Sequence, residues 1–211
     1  MSTTDSLTFK YSNCIINVTK HICCVVINLL VSNLIITKKE EVVLKTIART
    51  GFFLDPYRHE SNVSDKVIRN CVKKELIKKE NPPVMVFTKL LSPYTLTDKG
   101  MAIVRYKYMI SLYKENLRHI EHDYVLGKIY LTLSEEEQET WRTESDLLLE
   151  YPSTSVIDGT YIDKQDKRVG VEVITSSYSE HDIDLKMKFI HKHCDRAIIL
   201  NTKDIFKGGI A

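Results

Sequence analysis

Paired metal-binding words are missing from this sequence. Cys14, Cys23, Cys24, Cys71 and Cys194 are odd in number and lack C-x-x-C spacing, which predicts reduced, mostly buried thiols in a cytoplasmic protein. His119 with His122, and His191 with His193 and Cys194, fall short of finger spacing, so no zinc site is expected. There is no Walker A word, no G-x-G-x-x-G fingerprint and no serine elbow, which argues against nucleotide-driven, dinucleotide and serine-hydrolase chemistry. The N-terminus has no basic n-region and no small-residue cleavage site, unlike a signal peptide. Charge is absent from Ile22 to Thr37. That run is shorter than the roughly 20 residues a spanning helix needs and is broken by Asn28, Ser32 and Asn33. No membrane anchor is expected. The β-branched content of residues 14–37 predicts strands or a packing helix, and a homodimer contact stays open.

What is present is a chain of 211 residues, 43% hydrophobic and 27% charged, a composition that excludes wholesale disorder and suits two small domains. The net charge of +2 hides an asymmetry. Residues 38–115 carry sixteen Lys and Arg against nine Asp and Glu, while residues 116–211 carry twelve against eighteen. A basic segment before an acidic one suggests a nucleic-acid-facing module joined to one with another task. We therefore expect an apolar extension over 1–37, a basic domain over 38–115 and an α/β domain over 116–211.

In the central segment, Val42, Val43, Leu44 and Ile47 form one apolar face over 40–50, which Gly51 ends. Asp55-Pro56 opens a short second helix, and Ser64 caps a third with Asp65 in its first turn. On that third helix Val67, Ile68, Cys71, Val72 and Leu76 read as the buried stripe. Lys66, Arg69, Asn70, Lys73 and Lys74 are left outside. A basic outer face suits a helix lying in a major groove, with the cations on phosphates and Arg69 or Asn70 on base edges. Strand-like runs over 84–88 and 94–97 follow, separated by a Ser92-Pro93 turn signal. Three helices and a hairpin is the order of a winged helix-turn-helix. Tyr94-Thr95-Leu96-Thr97-Asp98-Lys99-Gly100 resembles the second wing strand and helix start of many winged-helix regulators, with Thr97 as the cap.

Beyond residue 115, Leu117, Ile120, Tyr124, Val125 and Ile129 recur at helical spacing, predicting a helix over 116–133. Strands are expected over 140–145, 155–162 and 168–175, a helix over 180–193 with Ile183, Met187 and Ile190 inward, and a buried strand over 196–201. The fold class is thus α+β, with an αβββαβ second domain. That order, with one acid in the second strand and another in the third, resembles the core of the PD-(D/E)XK nuclease superfamily. The words are Val156-Ile157-Asp158-Gly159 and Gly170-Val171-Glu172-Val173-Ile174. The resemblance implies that Asp158 and Glu172 hold Mg²⁺, which would activate a water and stabilise charge on the scissile phosphate. The lysine such enzymes carry two residues after the second acid is here Ile174. Lys186 on the following helix could replace it, and Glu144 could supply a third carboxylate. Otherwise the shape is kept and catalysis lost.

Taken from Lys39 to Asn201, the chain resembles the replication-relaxation family of plasmids and other mobile elements, which joins a winged helix to a nuclease-like domain. The resemblance rests on Leu96-Thr97-x-x-Gly100, His119-Ile-Glu-His-Asp-Tyr124, Trp141-Arg-Thr-Glu144, Ile157-Asp158 and Val171-Glu172-Val173. It implies a double-stranded DNA partner and a role in replication, mobilisation or its control. Three functions remain open at this point: a DNA-binding accessory or regulatory protein with a degenerate nuclease-like domain, a Mg²⁺-dependent endonuclease, and a protein–protein interaction module.

Overall fold

The computed structural model describes residues 34–113, 117–152 and 154–203. Of the expected strands or packing helix over 14–37, residues 14–33 lie outside them, as do Cys14, Cys23 and Cys24, and 34–37 are neither strand nor helix. Helix α1 (Lys38–Thr50) starts one turn earlier than the apolar face requires, because Thr37 and Glu40 form a reciprocal capping box. It ends at Gly51, whose φ of 91° belongs to the region that glycine enters at little cost. Val43, Leu44 and Ile47 are buried, and Val42 is half-buried. Helix α2 (Tyr57–Glu60) begins after Pro56, and α3 (Asp65–Lys73) after Ser64, whose hydroxyl makes no capping bond. On α3 only Ile68 and Cys71 are fully buried. Val67 is half-buried and Val72 is exposed, so the buried stripe is narrower than expected.

The strands that follow pair differently from the expected hairpin. β1 (Ile77–Lys79) pairs antiparallel with β4 (Tyr94–Leu96), and inside them β2 (Val84–Val86) pairs with β3 (Lys89–Leu91). The inner hairpin turns at Phe87-Thr88, with Phe87 at a φ of 51°. No Gly, Asn or Asp marks that turn, so it carried none of the usual hairpin signals. Helix α4 (Asp98–Lys107) follows, its first turn capped by the Thr97 hydroxyl accepting from the Gly100 N–H at 3.1 Å. Gly100 is required by close approach: a Cβ there would lie 2.0 Å from the Leu76 carbonyl oxygen.

A 3₁₀ turn (Leu117–His119) leads into α5 (Ile120–Thr132), followed by a short α6 (Glu135–Glu139). The expected strand over 140–145 is cut to two residues: β5 is Arg142–Thr143, and α7 (Glu144–Glu150) begins at once. Thr143 and Asp146 form a capping box, which captures the chain for a helix before a strand can extend. β6 (Gly159–Ile162), β7 (Arg168–Ile174), α8 (Glu180–His193) and β8 (Arg196–Asn201) complete the described chain. These strands form one sheet in the order β5-β6-β7-β8, antiparallel except for the parallel β7–β8 pair. The molecule is thus mixed α+β with small sheets.

Two inward faces differ from expectation. On α8 the buried residues are Lys186, Phe189 and Ile190, with Ile183 and Met187 only half-buried. Phe189 and Ile190 pack with Leu147, Val156 and Ile157. β8 has no fully buried residue, because it ends the sheet order and pairs on one side alone.

The described residues from Thr37 onward belong to one compact unit. Helix α1 packs on α5. The Tyr57 hydroxyl, fully buried, donates to the carbonyl of Tyr124 at 2.9 Å, with that of Asp123 at 3.3 Å. Gly127 makes room for it, since a Cβ there would lie 2.2 Å from that hydroxyl. Ion pairs Arg49–Asp146, Lys45–Glu139 and Lys128–Glu60 run between the same halves. Among the described residues, no helix is long and apolar enough to cross a membrane.

Candidate functional site

Helix α3 presents Lys66, Arg69, Asn70 and Lys73, all exposed. Their spacing of three, four and seven residues puts them on one stripe of the helix. Among the described residues none of the four side chains makes a hydrogen bond or an ion pair. Lys74 differs from them. Its ammonium lies 2.7 and 2.8 Å from the two carboxylate oxygens of Glu40, which is 1% exposed. Burial by itself would raise the Glu40 pKa, but the hydrogen bonds from Lys74 and Thr37 outweigh it and hold the group below its ordinary value. Lys74 therefore belongs to the core of this half rather than to the free stripe.

The acids and the lysine expected from the second half do converge. Asp158 immediately precedes β6, and Glu172 lies in the middle of β7, both buried. The Asp158 N–H donates to Glu172 Oε2 at 3.1 Å, and the Val173 N–H donates to Asp158 Oδ2 at 2.7 Å. Lys186 brings Nζ to 3.5 Å from Glu172 Oε1 and donates to the Val156 carbonyl. Glu144 is the first residue of α7, not the end of a strand, and its N–H donates to the Asp158 carbonyl at 2.9 Å.

Three residues not foreseen for this site complete it. His122 and Asp123, consecutive on α5, are 7% and 2% exposed, low enough that their polar atoms must find partners inside. His122 Nε2 lies 3.0 Å from Asp158 Oδ2, and Nδ1 lies 3.0 Å from Asp123 Oδ1. The Tyr113 hydroxyl donates to Asp123 Oδ1 at 2.9 Å. The signal was two adjacent ionisable residues inside an otherwise apolar helical face. In the sequence His122 had weight only as a zinc ligand and as one letter of a longer word.

The electrostatics follow from this crowding. Burial would lower the His122 pKa, but Asp158 and Asp123 on either side overcome it and push it up to about 10. Glu172 is raised by burial and by Asp158, with Lys186 opposing. Glu144 is raised by burial, with Lys186 opposing and Asp158 adding. A cavity of about 220 Å³ is lined in part by His119, His122, Glu144, Asp158, Thr175 and Tyr178. Glu172 and Lys186 are not in its wall.

A Mg²⁺ ion takes oxygen ligands in near-ideal octahedral geometry at 2.0–2.1 Å. Glu172 Oε1 is buried without a hydrogen bond, which would suit an ion. Asp158 Oδ2, however, is already engaged by His122 and by the Val173 N–H. Among the described residues no group of three His, Cys, Asp or Glu is arranged to hold a metal. As placed, these donors do not fit the ion.

No family model and no curated protein matches the chain. Among solved structures, a zinc-responsive MarR family member, ZitR of Lactococcus lactis, is similar with 16% sequence identity, 57% of this chain and 76% of that chain covered, and a TM-score of 0.30. At that score the likeness bears no weight on fold or function.

Proposed function

We propose that the chain is a DNA-binding accessory or regulatory protein in which residues 38–113 act as a winged helix and α3 lies in the major groove of duplex DNA. The observation that carries this reading is the stripe Lys66, Arg69, Asn70 and Lys73, exposed and without partners among the described residues. A folded protein gains nothing for its own stability from such a row, whereas phosphates and base edges can use every member of it. Contacts fall on α3 rather than on the β2–β3 tip, because Phe87 there is turned toward α5. The order of the short words from Leu96 to Val173 supports the finer reading, replication or mobilisation of a plasmid, phage or other mobile element. Homodimerisation on DNA, and the cytoplasm as the place of work, belong to that same reading.

Fluorescence anisotropy with a labelled duplex tests it. Each phosphate neutralised contributes about −0.9 to the slope of log K against log salt. Replacing Lys66, Arg69 and Lys73 together by alanine should make the slope shallower by about two to three. An unchanged slope, or wild-type affinity indifferent to salt, would sink the proposal.

A second reading, an endonuclease with a PD-(D/E)XK-like core, is favoured by one observation: Lys186 stands 3.5 Å from Glu172, in the role of the lysine missing at Ile174. Asp158, Glu172 and Glu144 would be its carboxylates and Mg²⁺ its cofactor, a group the present donor arrangement does not fit. Supercoiled DNA incubated with Mg²⁺ or Mn²⁺ should remain intact in the first reading. In the second it is nicked, and Asp158→Ala abolishes the nicking.

A further inference from the structure

The sheet β5-β6-β7-β8 has two edges, and they are unlike. β5 is two residues long, too short to template a further strand. β8 is six residues long, and its centre Ala197-Ile198-Ile199-Leu200 holds no charge and no proline, the usual means of blunting an edge. Ile199 is 42% exposed, and among the described residues no strand pairs with the outer side of β8.

The register decides which backbone groups lie open there. The Val173 N–H points to the β6 side, where it meets Asp158, and the Lys167 carbonyl does the same, accepting from the Asp163 N–H. Bonding direction alternates along a strand, so the odd members of β7 bond to β6 and the even members to β8. With Val169 beside Arg196 and Val173 beside Leu200, those even members hold Arg196, Ile198 and Leu200. Asp195, just before the strand, is also turned inward, its N–H donating to the Arg168 carbonyl at 2.8 Å. The N–H and C=O of Ala197, Ile199 and Asn201 are left facing outward.

We infer that β8 is the surface on which a second copy of this chain pairs, antiparallel, with the two-fold axis at Ile199. The inference rests on the homodimer of the proposed function and assigns that dimer its surface. In this register Ile199 exchanges both of its backbone bonds with its own copy, and Ala197 exchanges both with the partner's Asn201, so all three open residues are used. A shift by one residue sets open groups against closed ones, and a shift by two leaves one of the three unpaired. The same register brings Asp195 opposite the partner's Lys203 at each end, both residues exposed. Asp195 has Lys167 at 3.9 Å, while Lys203 makes no ion pair among the described residues. The row is therefore complementary to itself in hydrogen bonding and in charge, and pairing joins two four-stranded sheets into one.

Light scattering on the full chain over a dilution series reads the assembly, and disulfide trapping reads the register. Wild type should show twice the molar mass of one chain at high concentration and fall toward one chain on dilution. Ile199→Lys sets two like charges face to face on the axis and should weaken the dimer at least roughly tenfold, with the circular dichroism unchanged. If that variant does not fold, Lys203→Glu, at an exposed position past the strand, sets acid opposite acid and should weaken the dimer as well. Two residues that exchange both bonds across an antiparallel pair have Cα atoms about 5.5 Å apart, within reach of a disulfide. Under diamide, Ile199→Cys should therefore link to its own copy, the linked peptide carrying position 199 from both chains. Ala197→Cys, about 14 Å from its copy along the strands, should not, and wild type controls for the native cysteines. A dimer indifferent to the charged substitutions, or linked no faster at 199 than at 197, would overturn the inference and leave the homodimer to another surface. A single chain at every concentration would overturn the homodimer as well. Neither result touches the salt slope assigned to α3.

Discussion

The backbone N–H of Phe87 donates to the Glu121 carboxylate at 2.9 Å, joining the tip of the β2–β3 hairpin to the first turn of α5. The Phe87 ring lies edge-on to Tyr124 at 5.9 Å, and the residue holds a left-handed φ of 51°. An aromatic edge contact adds about 0.5–1.5 kcal/mol beyond the area it buries, so the docking offsets a backbone conformation that non-glycine residues avoid.

Phe87→Ala should therefore loosen the hairpin locally. Hydrogen exchange at the amides of 84–91 is expected to speed up, with a global loss of about 1–2 kcal/mol. Phe87→Gly should lose less than Ala does, because glycine accepts positive φ without strain. Equal losses would mean that φ carries no cost here.

Gly100 gives the opposite sign from its helical position. An alanine inside a helix usually stabilises it relative to glycine by about 0.5–1 kcal/mol. Here the new Cβ would meet the Leu76 carbonyl oxygen at 2.0 Å, a backbone atom that cannot step aside. Gly100→Ala is expected to destabilise by about 3 kcal/mol or more, the upper end of overpacking, read as a lowered urea midpoint.

Lys73 and Lys74 are neighbours in sequence with separate tasks. Lys73→Ala should leave stability unchanged and make the salt slope of DNA binding shallower by about one. Lys74→Ala should leave the slope alone and cost about 1–3 kcal/mol, since it strands the buried Glu40 carboxylate. Because the Glu40 pKa is lowered on folding, its contribution is present above the ordinary value of 4.5 and is lost as pH falls through its lower folded value. Glu40→Gln should remove that part of the acid lability.

The His122 ring is expected to stay doubly protonated well above neutral pH. Its value is raised from 6.5 to about 10, chiefly by Asp158 and Asp123 against the opposing effect of burial. Glu144 and Lys186 also face the cluster, with opposite effects of their own. Long-range ¹H–¹⁵N spectra should show both ring nitrogens protonated at pH 8, with no titration between pH 5 and 8. A raised pKa means that the stability His122 adds is complete below 6.5 and lost as pH rises through about 10. A ring that titrates near 6.5 would contradict the two short contacts.

Much of this was legible where local chemistry decides the outcome. The Thr97 cap, the Gly51 stop and the strand through Glu172 were all visible, since each depends on residues within a few positions. Strand partners were not visible. Tyr94–Leu96 pairs with Ile77–Lys79 because the chain between them folds on itself, and short strands of mixed burial carry little information about register. The convergence of Asp158, Glu172 and Lys186 could be proposed from the order of elements. The place of His122 could not, because it depends on how α5 packs on β7, a long-range relation that no spacing encodes.

Tyr57, seated against Gly127 and bound to the backbone of α5, has a consequence for the chain if it is nicked. Val43, Leu44 and Ile47 are as fully enclosed as any core, and the helix they belong to rests on α5. A protease cut between Tyr113 and Leu117 would therefore produce two fragments that stay together and co-elute under native conditions, parting only when denatured. The basic half is not a detachable reading head; it borrows its floor from the half that holds the carboxylates.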